Sequence, residues 1–462
     1  MAWYQPTLDS VTTIREDGSR RFIHPADVRG RFTRARMVVG WLLVAVYAAL
    51  PWIPVNGRPA VFLDVSRRQM HLFGMTFVPQ DFWLAFFLIT GLGFTLFYIT
   101  ALFGRIWCGW VCPQTVFIEQ IFRRIERLFE GDATARRRLD EAPWGAEKIL
   151  RRGGKWIAFW ILTVVIAHIF ISYFVSIPRL YEMMQRSPLE HLGVFLFVFA
   201  LSAALFFDFV WFREQFCIVL CPYGRMQSVL IDNDSIVIGY DKRRGEPRGK
   251  KKQEGVGDCV DCRRCIQVCP TGIDIRQGVQ IECINCANCV DACDEVMTRL
   301  GRPRGLIRYD STHGLEGMPT RFIRPRMILY TLLLLVGATV MTVSFSTLKP
   351  AAVTVQRMAG APYYRSEGRV RNQYLVRIEN KKNELTRFKV RLRNAQPGVE
   401  LSGAEKELEV APLGQLVRPI VVALPEQNYR GSFKVELEFS ADTFSVTRTV
   451  PFLGPDFLDI AK

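Results

Sequence analysis

The sequence predicts an α-helical integral membrane protein with five transmembrane helices, a cysteine-rich ferredoxin-like insertion and a C-terminal all-β sandwich. Three observations predict it. Five apolar runs approach the roughly 20 residues needed to cross the hydrocarbon core of a bilayer. All twelve cysteines fall into four groups before residue 294. Beyond Thr347 the chain turns to period-two alternation and holds neither cysteine nor histidine.

The runs are Met37 to Ile53, Phe82 to Phe103, Trp156 to Ile177, Leu192 to Trp211 and Met327 to Phe345. Basic residues cluster before the first (Arg29, Arg31, Arg34, Arg36), between the second and third (Arg123 through Lys155), after the fourth (Arg213 through the Lys250 to Lys252 run) and before the fifth (Arg321, Arg324, Arg326). Cytoplasmic flanks are enriched in Lys and Arg. The N-terminus and the cysteine-rich segment are therefore expected inside, and everything after about Thr347 outside. The net charge of +16 follows these membrane-flanking loops, which favours anionic lipid contact over nucleic acid as its meaning. The first 30 residues are polar and contain no signal-peptide core, so the first run reads as an uncleaved anchor.

Two of the spans end alike. F-G-R-I-W-C-G-W-V-C-P closes at Pro113 and F-R-E-Q-F-C-I-V-L-C-P at Pro222, an internal repeat that carries Cys108, Cys112, Cys217 and Cys221. Residues four apart on a helix share one face, and the proline puts Cys112 and Cys221 at a helix break with a new helix starting behind each. These thiols admit three readings: apolar packing, a redox dithiol, or a soft-metal site for which Cu(I) is the best match. Arg105, Arg213 and Arg225 are expected to lower their pKa values. The stretch from Gln114 to Glu130, with Val116, Phe117, Ile121, Ile125 and Leu128 at helical spacing, is expected as an amphipathic helix on the inner leaflet.

The densest cysteine groups read C-V-D-C-R-R-C-I-Q-V-C-P from Cys259 and C-I-N-C-A-N-C-V-D-A-C from Cys283. Together they form a two-cluster ferredoxin signature, in which three thiolates hold one iron-sulfur cube and the fourth cysteine reaches the other. Cys259, Cys262, Cys265 and Cys293 are assigned to one 4Fe-4S cluster, and Cys283, Cys286, Cys289 and Cys269 to the second. A zinc site does not call for three-plus-one twice, and disulfides are not expected in a reducing compartment. Asp294 stands where the pattern has proline, which leaves the turn after Cys293 open.

His168 in the third span is expected to be neutral and hydrogen-bonded inside the bundle; Asp208 in the fourth suits packing or proton handling. Met70, His71, Met75, Met183 and Met184 form no copper clip and are read as loop packing. The last 110 or so residues, with roughly seven short strands, fit a β-sandwich of immunoglobulin type without its disulfide. It reads as a binding or docking module. The expected divisions are an N-terminal segment 1–36, a four-helix membrane domain 37–230, a ferredoxin-like domain 231–326, the fifth helix 327–346 and the sandwich 347–462.

Five spans, two C-x-x-x-C-P pairs, paired ferredoxin runs and a cysteine-free tail with N-Q-Y-L-V-R-I-E-N-K, in this order, resemble the cytochrome c oxidase accessory protein family known as CcoG, FixG or RdxA. The resemblance implies a multi-pass protein of the bacterial inner membrane needed for maturing cbb-type haem-copper oxidase, acting as a cupric reductase that converts Cu(II) to Cu(I). It carries the cluster-ligand role onto the eight ferredoxin cysteines, and the catalytic and copper-holding role onto Cys108, Cys112, Cys217 and Cys221. Expected partners are the membrane, copper ions, cbb-type oxidase subunits, copper transport or chaperone proteins and an unnamed electron donor; a homodimer is compatible. Two rival functions are a quinol-linked electron-transfer subunit, with a pocket near His168 or Asp208, and a non-catalytic assembly scaffold.

Overall fold

The structure is a computed structural model that describes residues 13, 20, 22–250, 255–393, 395–441 and 444–455. Lys251 and Lys252 of the basic run lie outside these residues. Five helices are long and apolar enough to cross a membrane: Arg31–Trp52, Pro79–Phe103, Ala146–Ile171, Leu192–Phe212 and Pro325–Ser346. The chain is a membrane protein, and its spans present side chains such as Leu92, Ile161 and Leu335 outward, as a lipid-facing surface requires. It divides into two compact units, one formed by Met1–Pro51 with Phe87–Thr339 and the other by Trp52–Phe86 with Val340–Lys462.

In the first unit, Trp160 of the third span meets Phe199 and Phe206 of the fourth edge-on. The stretch after Pro113 is helical as expected, and one side of it packs into the helix bundle. It runs as an α-turn Pro113–Phe117, a π-turn Ile118–Phe122 and an α-helix Arg123–Glu130. Phe122 stacks on Phe209 at 4.1 Å and meets Phe159 edge-on at 4.7 Å, which builds the segment into the bundle. Part of its polar face is buried as well. Glu126 holds Arg213 at 2.7 Å and Arg136 at 3.0 Å, while Glu214 holds Arg123 at 2.7 Å and Arg20 at 2.8 Å. Of the arginines on this segment Arg123 is ion-paired inside, whereas Arg124 and Arg127 are exposed. Burial alone raises the Glu126 carboxyl, but Arg213 and Arg136 outweigh it and hold it at about 2.

The ferredoxin segment pairs Val237–Tyr240 antiparallel with Ile307–Asp310 and packs the helix Asn288–Leu300 over a core of Ile238, Val268, Ile275, Val290, Met297 and Leu306 with several cysteines. That helix runs straight through Cys293 and Asp294. A proline at 294 would interrupt it; Asp294 continues it and accepts a hydrogen bond from Gly305 N at 2.9 Å.

The second unit contains two sheets of a sandwich. One orders Glu400–Ser402, Gln415–Pro425, Arg369–Asn380 and Ala351–Arg357, with Tyr364–Ser366 also on Arg369–Asn380; the other orders Leu408–Val410, Thr386–Arg393, Phe433–Ala441 and Phe444–Phe452. Nine strands stand where about seven were expected, because three of them are three-residue edge strands too short to show alternation. Residues Trp52–Phe86 join this unit through a small antiparallel sheet, Val61–Asp64, Gln69–Leu72 and Met75–Phe77. Asp81 pairs with Lys381 at 2.5 Å, and Phe77 meets Phe345 edge-on. His71 is buried in that sheet, stacked on Phe62 and bonded through Nδ1 to Thr76 Oγ1 at 2.9 Å. Burial pushes its pKa down to about 4, so it packs as a neutral ring.

Candidate functional site

The two ferredoxin cysteine loops share one backbone device. Asp261 and Arg263 in the first, and Asn285 and Ala287 in the second, occupy matching places between the cysteines, all with φ between 51° and 61°. None is glycine, and left-handed backbone costs an L-residue about 1–2 kcal/mol. Left-handed residues alternating with right-handed ones turn successive N–H groups to the inside of the loop, the arrangement that receives anionic sulfur.

Cys269 lines one cavity together with Cys283, Cys286 and Cys289, and Cys265 of the other set also reaches its wall. Cys259 and Cys262 are the charge neighbours of the Cys293 thiol, and Cys293 and Cys262 are those of Cys265. Cys289 and Cys293 stand one turn apart on the helix Asn288–Leu300, so that helix serves both groups. Burial pushes Cys283 up to about 12, Cys286 to about 11 and Cys293 to about 12. Thiols this hard to ionise need a strongly attracting partner, and the sulfur-only donor sets, buried or half-buried except for the exposed Cys262, fit a 4Fe-4S cluster.

The membrane thiol pairs repeat in backbone as well as in sequence. Gly104 and Arg213, equivalent in the two copies, both turn left-handed, at φ 55° and 50°, directly after their spans. Cys112 and Cys221 leave helical geometry, at ψ 126° and 110°, and Pro113 and Pro222 start the next helices. The copies differ in one respect: Cys108 sits in the α-turn Ile106–Trp110, Cys217 in the π-turn Phe216–Leu220. The four thiols are neighbours, since Cys217 feels Cys112, Cys108 and Cys221. Among the described residues, however, no three His, Cys, Asp or Glu side chains converge around one point as a metal site. Gln227, fully buried, donates Nε2 to Cys108 Sγ at 3.4 Å.

The expectation that arginines depress these thiols is not met. Burial pushes Cys108 up to about 11 and raises Cys112 and Cys217. Arg213 is consumed by Glu126, Arg225 bonds Val219 O, and Arg105, which bonds Gly224 O, lowers Cys108 only as a minor influence.

Cys108 packs against Ile284 and Cys286. The membrane thiols and the second ferredoxin loop are thereby in van der Waals contact. Gly109 makes this possible: a β-carbon there would fall 2.3 Å from Ile284 O and 3.0 Å from Cys286 N. Arg36 locks the junction from the first span, donating Nε to Gly109 O and Nη1 to Asn288 Oδ1, both at 2.8 Å. Asn285 Nδ2 reaches Phe103 O at 3.2 Å, and Tyr309 links Trp110 Nε1 to Asn285 O. Asp291 accepts from Phe32 N and Thr33 N, capping the first span from the ferredoxin helix.

Gly109, Arg36, Asn285 and Gln227 escaped sequence reasoning. Only Gly109 left a signal, as the glycine inside W-C-G-W. His168 bonds its own helix at Val164 O, 2.8 Å. Asp208 accepts from Gln114 Nε2 at 2.7 Å, tying the fourth span to the helix after Pro113.

Comparison with known proteins matches residues 212–312 to a 4Fe-4S dicluster domain, 82–131 to a 4Fe-4S binding domain, and 341–455 to the IG-like fold at the C-terminal of FixG. The chain is 35% identical to Protein RdxA of Cereibacter sphaeroides over 384 residues, covering 80% of this chain and 81% of that protein. Protein RdxB of the same organism is 34% identical over 391 residues, with 80% and 82% covered. Nitrogen fixation protein FixG of Rhizobium meliloti is 39% identical over 307 residues, 63% of this chain and 57% of that protein.

Proposed function

Because the chain belongs to the CcoG/FixG/RdxA family of membrane iron-sulfur electron-transfer proteins, we propose that it is a cupric reductase supplying Cu(I) for assembly of cbb-type cytochrome c oxidase. One observation carries the reading: Cys108 of the membrane thiol group packs on Cys286 of the ferredoxin loop, leaving no solvent gap between an electron store and a soft-ligand site. Cys259, Cys262, Cys265 and Cys293 hold one 4Fe-4S cluster; Cys283, Cys286, Cys289 and Cys269 hold the other. Bound clusters supply one-electron storage and transfer.

Cu(II) is the substrate, and each ion takes one electron. Cys108, Cys112, Cys217 and Cys221 bind it and stabilise the Cu(I) product, for which thiolate is the preferred ligand. Gln227 orients the Cys108 sulfur; Gly109 and Arg36 keep the junction closed. On this reading the N-terminus and ferredoxin segment lie on the cytoplasmic side of the inner membrane and the sandwich in the periplasm, where it docks oxidase subunits or copper carriers; the distribution of basic residues among the loops supports it.

The test is anaerobic mixing of cluster-reduced protein, freed of reductant, with Cu(II) and a Cu(I)-specific chelator. Cluster reoxidation should match Cu(I) formation one for one, and a variant with all four membrane cysteines changed to serine should lose turnover while keeping cluster absorbance. Clusters that stay reduced would overturn the assignment.

A second reading is favoured by the 4Fe-4S binding domain match over 82–131, which contains Cys108 and Cys112. On that reading the four membrane thiols hold a further cluster. Iron analysis separates the two: about eight iron atoms per chain for two cubes, about twelve for three.

A further inference from the structure

The first unit contains a cavity of about 710 Å³ that no part of this chemistry uses, within the range of small-molecule sites. Trp156, which opens the apolar run of the third helix directly after Lys155, and Trp211, at the end of the fourth span, form part of its wall. Tryptophan at such a position marks the membrane–water boundary. Another part of the wall is Ile266, Gln267, Thr271 and Gly272, the residues around Cys269. Ala26 N donates to Gln267 O at 2.7 Å, fastening the chain beside His24 to that loop.

Two side chains in this wall are left wanting. His24, whose side chain is 10% exposed, holds Asp140 Oδ2 through Nε2 at 2.6 Å, and its buried Nδ1 has no partner among the described residues. Arg20, 1% exposed, gives Nη2 to Glu214, and its Nε and Nη1 have none among them. An unmade buried hydrogen bond costs about 1–3 kcal/mol, so polar atoms of this kind call for a ligand. Most of the other charges in the wall neutralise one another, with Lys155 on Glu130, Arg152 on Asp140 and Arg213 on Glu126, while Arg137 and Glu141 add one charge of each sign. That disfavours a polyanionic nucleotide. A neutral ring with polar edges and an apolar tail suits both the unpaired atoms and the tryptophan-lined wall.

We propose that this cavity binds the headgroup of a membrane quinone, with Arg20 and His24 bonding its oxygens and His24 accepting the proton of the hydroquinone. The inference supplies the electron donor for the reading above and rests on it only for where the electrons end. A hydroquinone becomes a quinone by losing two protons and two electrons. The protons leave in turn through His24 and the partly exposed Asp140 to solvent, and the electrons go singly to the two ferredoxin clusters as one-electron acceptors.

The experiment uses the whole purified protein in detergent with decylubiquinone. Saturable quenching of tryptophan fluorescence is expected, with affinity about tenfold weaker in His24→Leu and quenching diminished in W156F/W211F. Photolabelling of the unaltered protein with an azidoquinone, which needs no variant to fold, should mark peptides containing Arg20–His24 or Trp211. Absence of saturable binding, undiminished affinity in His24→Leu, labelling elsewhere, or displacement by NADH would each overturn the proposal. Binding is read without copper, so failure of Cu(II) reduction leaves this result standing, and failure here leaves cupric reduction standing.

Discussion

The sandwich and the ferredoxin segment solve the problem of an interior in opposite ways. Tyr374, Phe388, Phe439 and Phe452 fill the sandwich with Val370, Ile378, Ile420 and Leu437, all essentially unexposed; the buried Tyr374 hydroxyl is satisfied by Pro451 O at 2.7 Å. Close-packed side chains, mostly hydrocarbon, close that core. In the ferredoxin segment Cys259, Cys265 and Cys289 occupy core positions, and burial raises the thiol pKa values of Cys265 and Cys289. Around it, carboxylates and guanidiniums are buried in pairs. The difference teaches that one unit carries its stability within its own side chains, whereas the other is completed only by a bound group.

The sharpest way to break the comparison is Cys289→Ala. It removes a proposed ligand from the helix shared by both cysteine groups, and iron content should fall by half or more while proteolysis of the sandwich stays unchanged. Next is Glu126→Ala, which leaves Arg213 and Arg136 buried without their partner. Thermal unfolding of the membrane unit should show a loss of about 3–5 kcal/mol, with no shift in a sandwich-specific probe. Phe439→Ala is the reciprocal case: about 3–5 kcal/mol lost from the sandwich and cluster absorbance untouched. Gly109→Ala is smaller in stability, about 1–3 kcal/mol, because one methyl must be accommodated against Ile284 O. Its expected signature is slower electron transfer to the membrane thiols at full cluster content.

Acid sharpens the contrast with the mildest effect. His71 has a folded pKa of about 4 against an ordinary 6.5, so its contribution is present above about pH 6.5 and is lost as pH falls toward 4. Glu126, held at about 2 against 4.5, contributes fully above about pH 4.5 and loses that contribution as pH falls toward 2. The unit containing the sandwich should therefore begin to weaken at a higher pH than the ion-paired membrane unit. Hydrogen exchange resolved by segment, followed from pH 7 downward, checks the order.

Much of the candidate site was legible in the chain because ligand geometry is local. Cluster-binding loops need cysteines at set spacing, and a proline after Cys112 or Cys221 breaks a helix wherever it occurs. The buried ion pairs of the helix after Pro113 were not legible, because periodicity reports which face is polar, not whether a residue such as Glu126 meets water or buried arginines. His71 and its neighbours looked like a bare loop because the three strands that hold them are only three or four residues long.

Spans, thiol repeats, ferredoxin loops and sandwich were all written in residue type and period, since bilayer thickness, sulfur coordination and the pleat each impose a pattern on neighbouring residues. Tertiary structure alone decided that Cys108 rests on Cys286, that Arg36 joins a membrane helix to Gly109 and Asn288, and that His24 and Arg20 line one cavity. Those relations link residues far apart in the chain, and contact at such separation is set by packing and charge compensation, which leave no periodic trace in sequence.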